Sequence, residues 1–156
     1  MSRFVRSGRA LRLGLALTLL AALTIGATSS TAAGGRKVLD ASMAGLPVIN
    51  TPLNGLIGGG APWVIDRGSV QLFEDGRLHV HVDGLIIPAL GRNPVAEGKA
   101  VLTCGEAKVA ETALVPFSED GDADINTVVT GIPSPCQGLT VFFTNAGDRW
   151  FAVTGF

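Results

Sequence analysis

From Trp63 onward the chain is cut into short β-branched or aromatic runs by Gly, Asp, Asn and Pro, with no long amphipathic helical period between the cuts. The runs span 63–66, 69–73, 77–82, 100–104, 108–117, 123–129, 140–144 and 150–154. Short strands at regular spacing, separated by turn formers, define an all-β sandwich or barrel. We therefore read residues 63–156 as one antiparallel β-sandwich domain of about seven or eight short strands.

The best-defined hairpin surrounds Asp75-Gly76. A two-residue loop there sets Phe73 against Leu78 and Leu72 against His79, which mixes apolar and polar side chains on one face. A three-residue loop over 74–76, with Gly76 left-handed, sets Leu72 against Leu78 and Val70 against Val80. Gln71 then meets His79, and Ser69 meets His81. Only this register separates an apolar face from a polar one, because strand side chains alternate with period 2. It leaves Phe73 opposite Arg77 as its one awkward pair. A second hairpin is expected at Glu119-Asp120-Gly121-Asp122, joining 112–117 to 123–129 with Asp122, Asp124 and Asn126 outward.

Residues 34–62 read differently. Ala44-Gly45-Leu46-Pro47, Asn50-Thr51-Pro52 and Gly58-Gly59-Gly60-Ala61-Pro62 punctuate the backbone. We expect a Gly/Pro-rich N-terminal arm with one short strand near Val48 and Ile49. Its apolar residues, among them Val38, Leu39, Leu46 and Leu53, imply that it packs on the domain rather than floating as a linker.

Residues 1–33 carry another code. Arg3, Arg6, Arg9 and Arg12 precede an apolar run over 13–25 and a small-residue stretch over 26–33. This is the order of a secretory signal peptide, with cleavage expected after Ala32 or Ala33. The run is shorter than the roughly 20 apolar residues a spanning helix needs, which disfavours the alternative of a retained anchor. The expected product is secreted and extracellular, with no membrane span. Its four arginines leave with the leader, so eight Lys/Arg face thirteen Asp/Glu, for a net charge of −5. An acidic surface repels phosphate backbones and anionic headgroups, which argues against a nucleic-acid partner. Cys104 and Cys136 both lie beyond the leader, and an even count in an exported chain reads as one disulfide.

Few residues suit chemistry. His79 and His81 are the only histidines, and at i and i+2 of a strand they project from one face. Two imidazoles so placed are candidate metal ligands, although a catalytic zinc takes three protein ligands and no third can be named. The bland alternative is two wet surface histidines. Asp120, Asp122, Asp124 and Asn126 carry oxygen at every second position, as calcium loops do. The EF-hand pattern nevertheless fails, because Ile125 stands where its glycine belongs and Gly131 where its glutamate belongs. No serine sits in Gly-x-Ser-x-Gly. Ser69 opposite His81 is the nearest approach of a nucleophile to a base, and it lies on an open face. Trp63 and Trp150 are expected in the core rather than as a sugar-stacking platform. The greasy segment 84–90 is either a contact patch or core. No cofactor is expected.

Three stretches carry a resemblance. The run Gly58-Gly59-Gly60-Ala61-Pro62-Trp63-Val64-Ile65, the segment from Asp75-Gly76-Arg77-Leu78 to Gly84-Leu85, and the close Trp150-Phe151-Ala152-Val153-Thr154-Gly155 together resemble a group of small secreted bacterial β-rich proteins without an assigned activity. More distantly, the strand-turn-strand rhythm resembles the CHRD domain, an immunoglobulin-like extracellular module. That family's His-Ile-His segment follows its first Gly-Leu, whereas here His79 and His81 precede Gly84-Leu85. The resemblance implies an exported β domain with no known chemistry and brings no functional residues with it.

The expected function is a secreted, non-catalytic binding or structural module for an unidentified extracellular ligand or cell-envelope component. The alternative is a small secreted metal-dependent or hydrolytic enzyme built on His79 and His81. A pocket where the histidines converge with an acid favours the enzyme, and flat, solvent-facing histidines favour the module.

Overall fold

A computed structural model describes residues 35–155, so the leader expected over 1–33 lies outside the described residues. Among the described residues every regular element is a strand, and no helix is long and apolar enough to cross a membrane. In chain order the strands are β1 (Lys37–Gly45), β2 (Pro52–Leu53), β3 (Leu56–Gly58), β4 (Arg67–Phe73), β5 (Arg77–Asp83), β6 (Glu97–Cys104), β7 (Ala107–Glu111), β8 (Val115–Pro116), β9 (Ala123–Val128), β10 (Leu139–Thr144) and β11 (Arg149–Thr154). They form one antiparallel path, β7-β6-β10-β11-β1-β4-β5-β9. Off that path β2 pairs with β3, β3 runs parallel to β11, and β8 pairs with β6. The all-β class, the antiparallel pairing and the single disulfide are as expected. The sheet curls into a half-barrel around one core, an arrangement compatible with a sandwich.

β1 turns the corner. Its residues from Lys37 to Ser42 pair with β4, and those from Met43 to Gly45 pair with β11. A strand that changes partner midway lets a sheet fold over its own core. The stretch expected as an arm thus supplies the strand that joins both halves of the sheet. The strand expected at Val48 and Ile49 is instead a bend with both side chains exposed. Pro47 and the left-handed Asn50 (φ 54°) bracket it and leave no room for an extended run.

In the half made by β1, β4, β5 and β9, side chains alternate between a buried and an open face. Val70, Leu72, Leu78, Val80, Val82, Ala123 and Ile125 point into the core. The β4–β5 hairpin has the expected register, with Leu72 opposite Leu78, Val70 opposite Val80, Gln71 opposite His79 and Ser69 opposite His81. Gly76 has φ 83°, and its N–H donates to the Phe73 carbonyl at 2.9 Å. A Cβ there would also stand 2.3 Å from the Val129 carbonyl oxygen, so glycine is required twice over. The awkward pair is resolved by stacking. The Arg77 guanidinium lies 4.4 Å from the centre of the Phe73 ring, while its Nε donates to Asp75 at 2.7 Å.

The other half is covered on both faces. Inside, Trp63 stacks on Phe151 with ring centres 4.3 Å apart, and Phe117 meets Phe143 edge-on at 5.0 Å. Phe143 fits only because Gly98 lies beneath it, where a Cβ would come within 2.3 Å of the ring. Outside, the 46–62 segment lies across β6, β10 and β11. Trp150 Nε1 donates to the Thr51 carbonyl at 3.2 Å, and Asn54 Nδ2 donates to the Thr140 and Thr103 hydroxyls at 3.0 and 3.3 Å. Both tryptophans are core residues, 3% and 2% exposed.

Other expectations are corrected. Residues 63–66 form no strand, only a single bridge from Val64 to Ile86. The run 108–117 breaks at Thr112, whose backbone N–H donates to the Ala100 carbonyl and whose hydroxyl accepts from the Ala100 N–H. The 119–122 turn forms, with Gly121 N–H donating to the Ser118 carbonyl at 3.0 Å, but no hairpin follows. β8 pairs with β6 and β9 with β5, because Ala123 and Ile125 extend the apolar face of Val80 and Val82. The 84–90 segment folds under, burying Leu85 and Ile87 and exposing Leu90. Cys104, closing β6, is bonded to half-buried Cys136 with Cα atoms 5.4 Å apart and a sequence separation of 32. Closing a loop of that size stabilises the fold by about 3–4 kcal/mol in the chain-entropy picture.

Candidate functional site

The open face of β1, β4, β5 and β9 carries two polar rows that run across the strands. One row is Ser42, Ser69, His81 and Asp124; the other is Asp40, Gln71, His79 and Asn126. Each follows from period 2, since the apolar partners between them are committed to the core. All are exposed except Gln71, which is half-buried.

Both histidines are anchored on β9. His81 Nδ1 lies 2.7 Å from Asp124 Oδ1, and His79 Nδ1 contacts Asn126 Oδ1. A carboxylate or carboxamide oxygen only accepts, so each Nδ1 is the donor, and Nε2 is the nitrogen that offers a lone pair whenever the ring carries a single proton. The Phe73 ring braces His79 edge-on at 5.9 Å between centres. At the margin, a hydrogen bond from Lys37 holds the Asp40 carboxyl below its usual range. Arg67 pairs with Asp83 at 2.6 Å at the far end of the strands.

A shallow hollow of about 440 Å³ is lined by Ser42, Ser69 and His81 with Asp66 and Arg67. Ser69 and His81 of the hollow, with Asp124 on the neighbouring strand, follow in the order a nucleophile relay needs, yet no hydrogen bond joins Ser69 to His81. A second cleft, of about 560 Å³, opens at the other end of the same strands between the 74–76 turn and the 129–139 segment. Arg36 and Glu74 close its rim with an ion pair at 2.6 Å.

Two of the three aspartates of the 120–126 stretch are engaged singly. Asp122 accepts from the Gly84 N–H at 3.0 Å, and Asp124 holds His81. Among the described residues no group of three or more His, Cys, Asp or Glu side chains is placed to hold a metal ion.

A different charged centre lies on the doubly covered half. Lys99, only 9% exposed, and Lys108 both contact Glu111 and Asp148, with three of the four ion pairs at 2.8 Å. Hydrogen bonds from Lys108 and Lys99 hold the Glu111 carboxyl low. Burial pushes the Asp148 carboxyl up, but hydrogen bonds from both lysines outweigh it and leave it below its usual range. Burial likewise opposes the charge on Lys99, and its bonds to Asp148 and Glu111 still carry its pKa above normal. A closed, neutral set of two cations and two anions of this kind is a structural clasp.

The sequence reading placed the histidines on one face but missed Asp124 and Asn126 as their partners, because it assigned β9 to another hairpin. The outward alternation of Asp122, Asp124 and Asn126 was the available signal. Lys99 signalled the clasp by standing alone in the apolar run of β6. No family model matches the chain, and no curated protein or solved structure was found to resemble it.

Proposed function

We propose that the chain is an exported, non-catalytic binding or structural module that meets an extracellular ligand or envelope component through the open face of β1, β4, β5 and β9. One observation carries the reading. Eight hydrogen-bonding side chains stand in two rows on strands whose opposite face is locked in the core. Side chains on such a base keep their positions without a ligand, so little ordering entropy opposes binding. The ligand that fits is polar and extended, matched to rows of donors and acceptors rather than to a deep apolar pocket. A disulfide suits an oxidising, extracellular setting and agrees with export.

The test is capture from the producing cell's envelope with the tag-free protein, beside a variant carrying Gln71→Ala, His79→Ala and Asn126→Ala. Retention of one component by the native chain and its loss in the folded variant is the expected result. Equal capture by both, or none by either, overturns the reading. Ester hydrolysis abolished by Ser69→Ala would replace it with the hydrolytic alternative.

A further inference from the structure

We infer that His79 and His81 form a two-imidazole site for a transition-metal dication, copper(II) above all, through their Nε2 atoms. The site does not depend on whether the same face holds a larger ligand. Three observations converge. The rings stand two residues apart on one strand and project from one exposed face. Two strand steps separate their origins by about 6.6 Å, a span that two imidazoles close by leaning together over one ion. Each Nδ1–H is held by an oxygen of β9, Asp124 for His81 and Asn126 for His79. Such outer partners set the tautomer of a metal-binding histidine and raise its basicity, and among the described residues no donor reaches either Nε2.

The ligand set selects the ion. Imidazole nitrogen suits copper, nickel and zinc, and with two protein ligands the affinity order favours copper(II). A closed zinc site needs four protein ligands and a catalytic one three, so zinc binds here more weakly. The remaining positions go to water, with the Gln71 carboxamide and the Ser69 hydroxyl opposite the two rings as neighbouring oxygens. The electrostatics permit a cation. Asp124 and Asp40 lie in the two rows, while the nearest cation on β5, Arg77, is drawn aside by Asp75 and stacked on Phe73.

The experiment uses the full chain, expressed with its own leader and without a tag, and titrates it with copper(II) chloride and zinc chloride by calorimetry and electron paramagnetic resonance. One copper per chain is expected, with hyperfine structure from two equivalent nitrogens, and weaker binding of zinc. His79→Ala and His81→Ala each abolish that signal. Asp124→Asn keeps the hydrogen-bonding shape but removes the charge, and it weakens copper by the roughly 10–100-fold typical of lost outer partners. Thermal melts of every variant confirm that the fold persists. Copper binding unchanged in both histidine variants, or no saturable binding up to about 1 mM metal, overturns the assignment.

Discussion

The two halves of the curled sheet do their work by different means. β6, β10 and β11 are covered on both faces, by the shared core and by the 46–62 segment. β4, β5 and β9 are covered on one face only. In the first half alternation disappears from the sequence: Ala100-Val101-Leu102, Val141-Phe142-Phe143 and Phe151-Ala152-Val153 are buried without a break. In the second, every other position is released from packing and free to be polar. A strand enclosed on both sides spends all its side chains on stability, whereas a strand with one wet face can hold chemistry at fixed spacing. The rows that carry the candidate site occur only where the covering segment is missing.

The comparison is tested hardest in the enclosed half. Phe143→Ala removes a ring packed against Phe117 and seated over Gly98, and we expect a loss of about 3–5 kcal/mol in urea unfolding. If the loss were under ~1 kcal/mol, the double covering would not be what holds this half. Next in size is the disulfide. Replacing Cys104 and Cys136 together by Ala releases the loop between them and lowers stability by about 3–4 kcal/mol. Intact mass before and after reduction, read with the unfolding midpoint, checks both the bond and its contribution.

The same contrast explains what was legible in the sequence. Period 2 is visible only where one face is wet, so the β4–β5 register could be derived residue by residue, down to the left-handed Gly76. β9 shows the same alternation, but its partner could not be read, because pairing across distant segments leaves no local mark once the turn at 119–122 suggests a hairpin. β1 was hidden for another reason. Its alternation runs only from Val38 to Met43, where the strand changes partner, and Met43 alone is fully buried, so the pattern is short and weak. The paired positions of His79 and His81 were legible, and the anchors on β9 that give them direction were not. Lys99 stands out in the apolar run of β6, but its partners Glu111 and Asp148 come from two other strand ends and could not be read.

That clasp is the intermediate case, with Lys99 nearly enclosed and its three partners partly exposed. Glu111 and Asp148 titrate below their usual range in the folded protein. Their contribution is therefore complete above about pH 4.5 and lost as pH falls through the lowered folded values. Lys99 and Lys108 titrate above theirs, so their contribution is complete below about pH 10 and lost as pH rises past it. Lys99→Met leaves Lys108 to hold both acids, and we expect a loss of about 1–2 kcal/mol at neutral pH, limited by the half-exposure of Glu111. Unfolding midpoints of both proteins from about pH 2 to pH 8 should converge as the acids protonate. Curves that stay parallel to the lowest pH would remove the clasp from the account of the enclosed half.

The smallest expected effect is the sharpest, because it compares neighbours on one strand. Val80 on β5 is buried between Val70 and Ile125, and Val80→Ala should cost about 2 kcal/mol. His79, one residue away, points outward to Asn126, and His79→Ala should change stability by no more than about 0.5 kcal/mol. Its hydrogen bond lies in water, where the exchange with solvent returns most of what is lost. Equilibrium unfolding of the two variants side by side decides the matter. A His79 loss as large as that of Val80 would mean that the outer rows brace the sheet, and the open face would then be a structural layer rather than a surface kept free for a ligand.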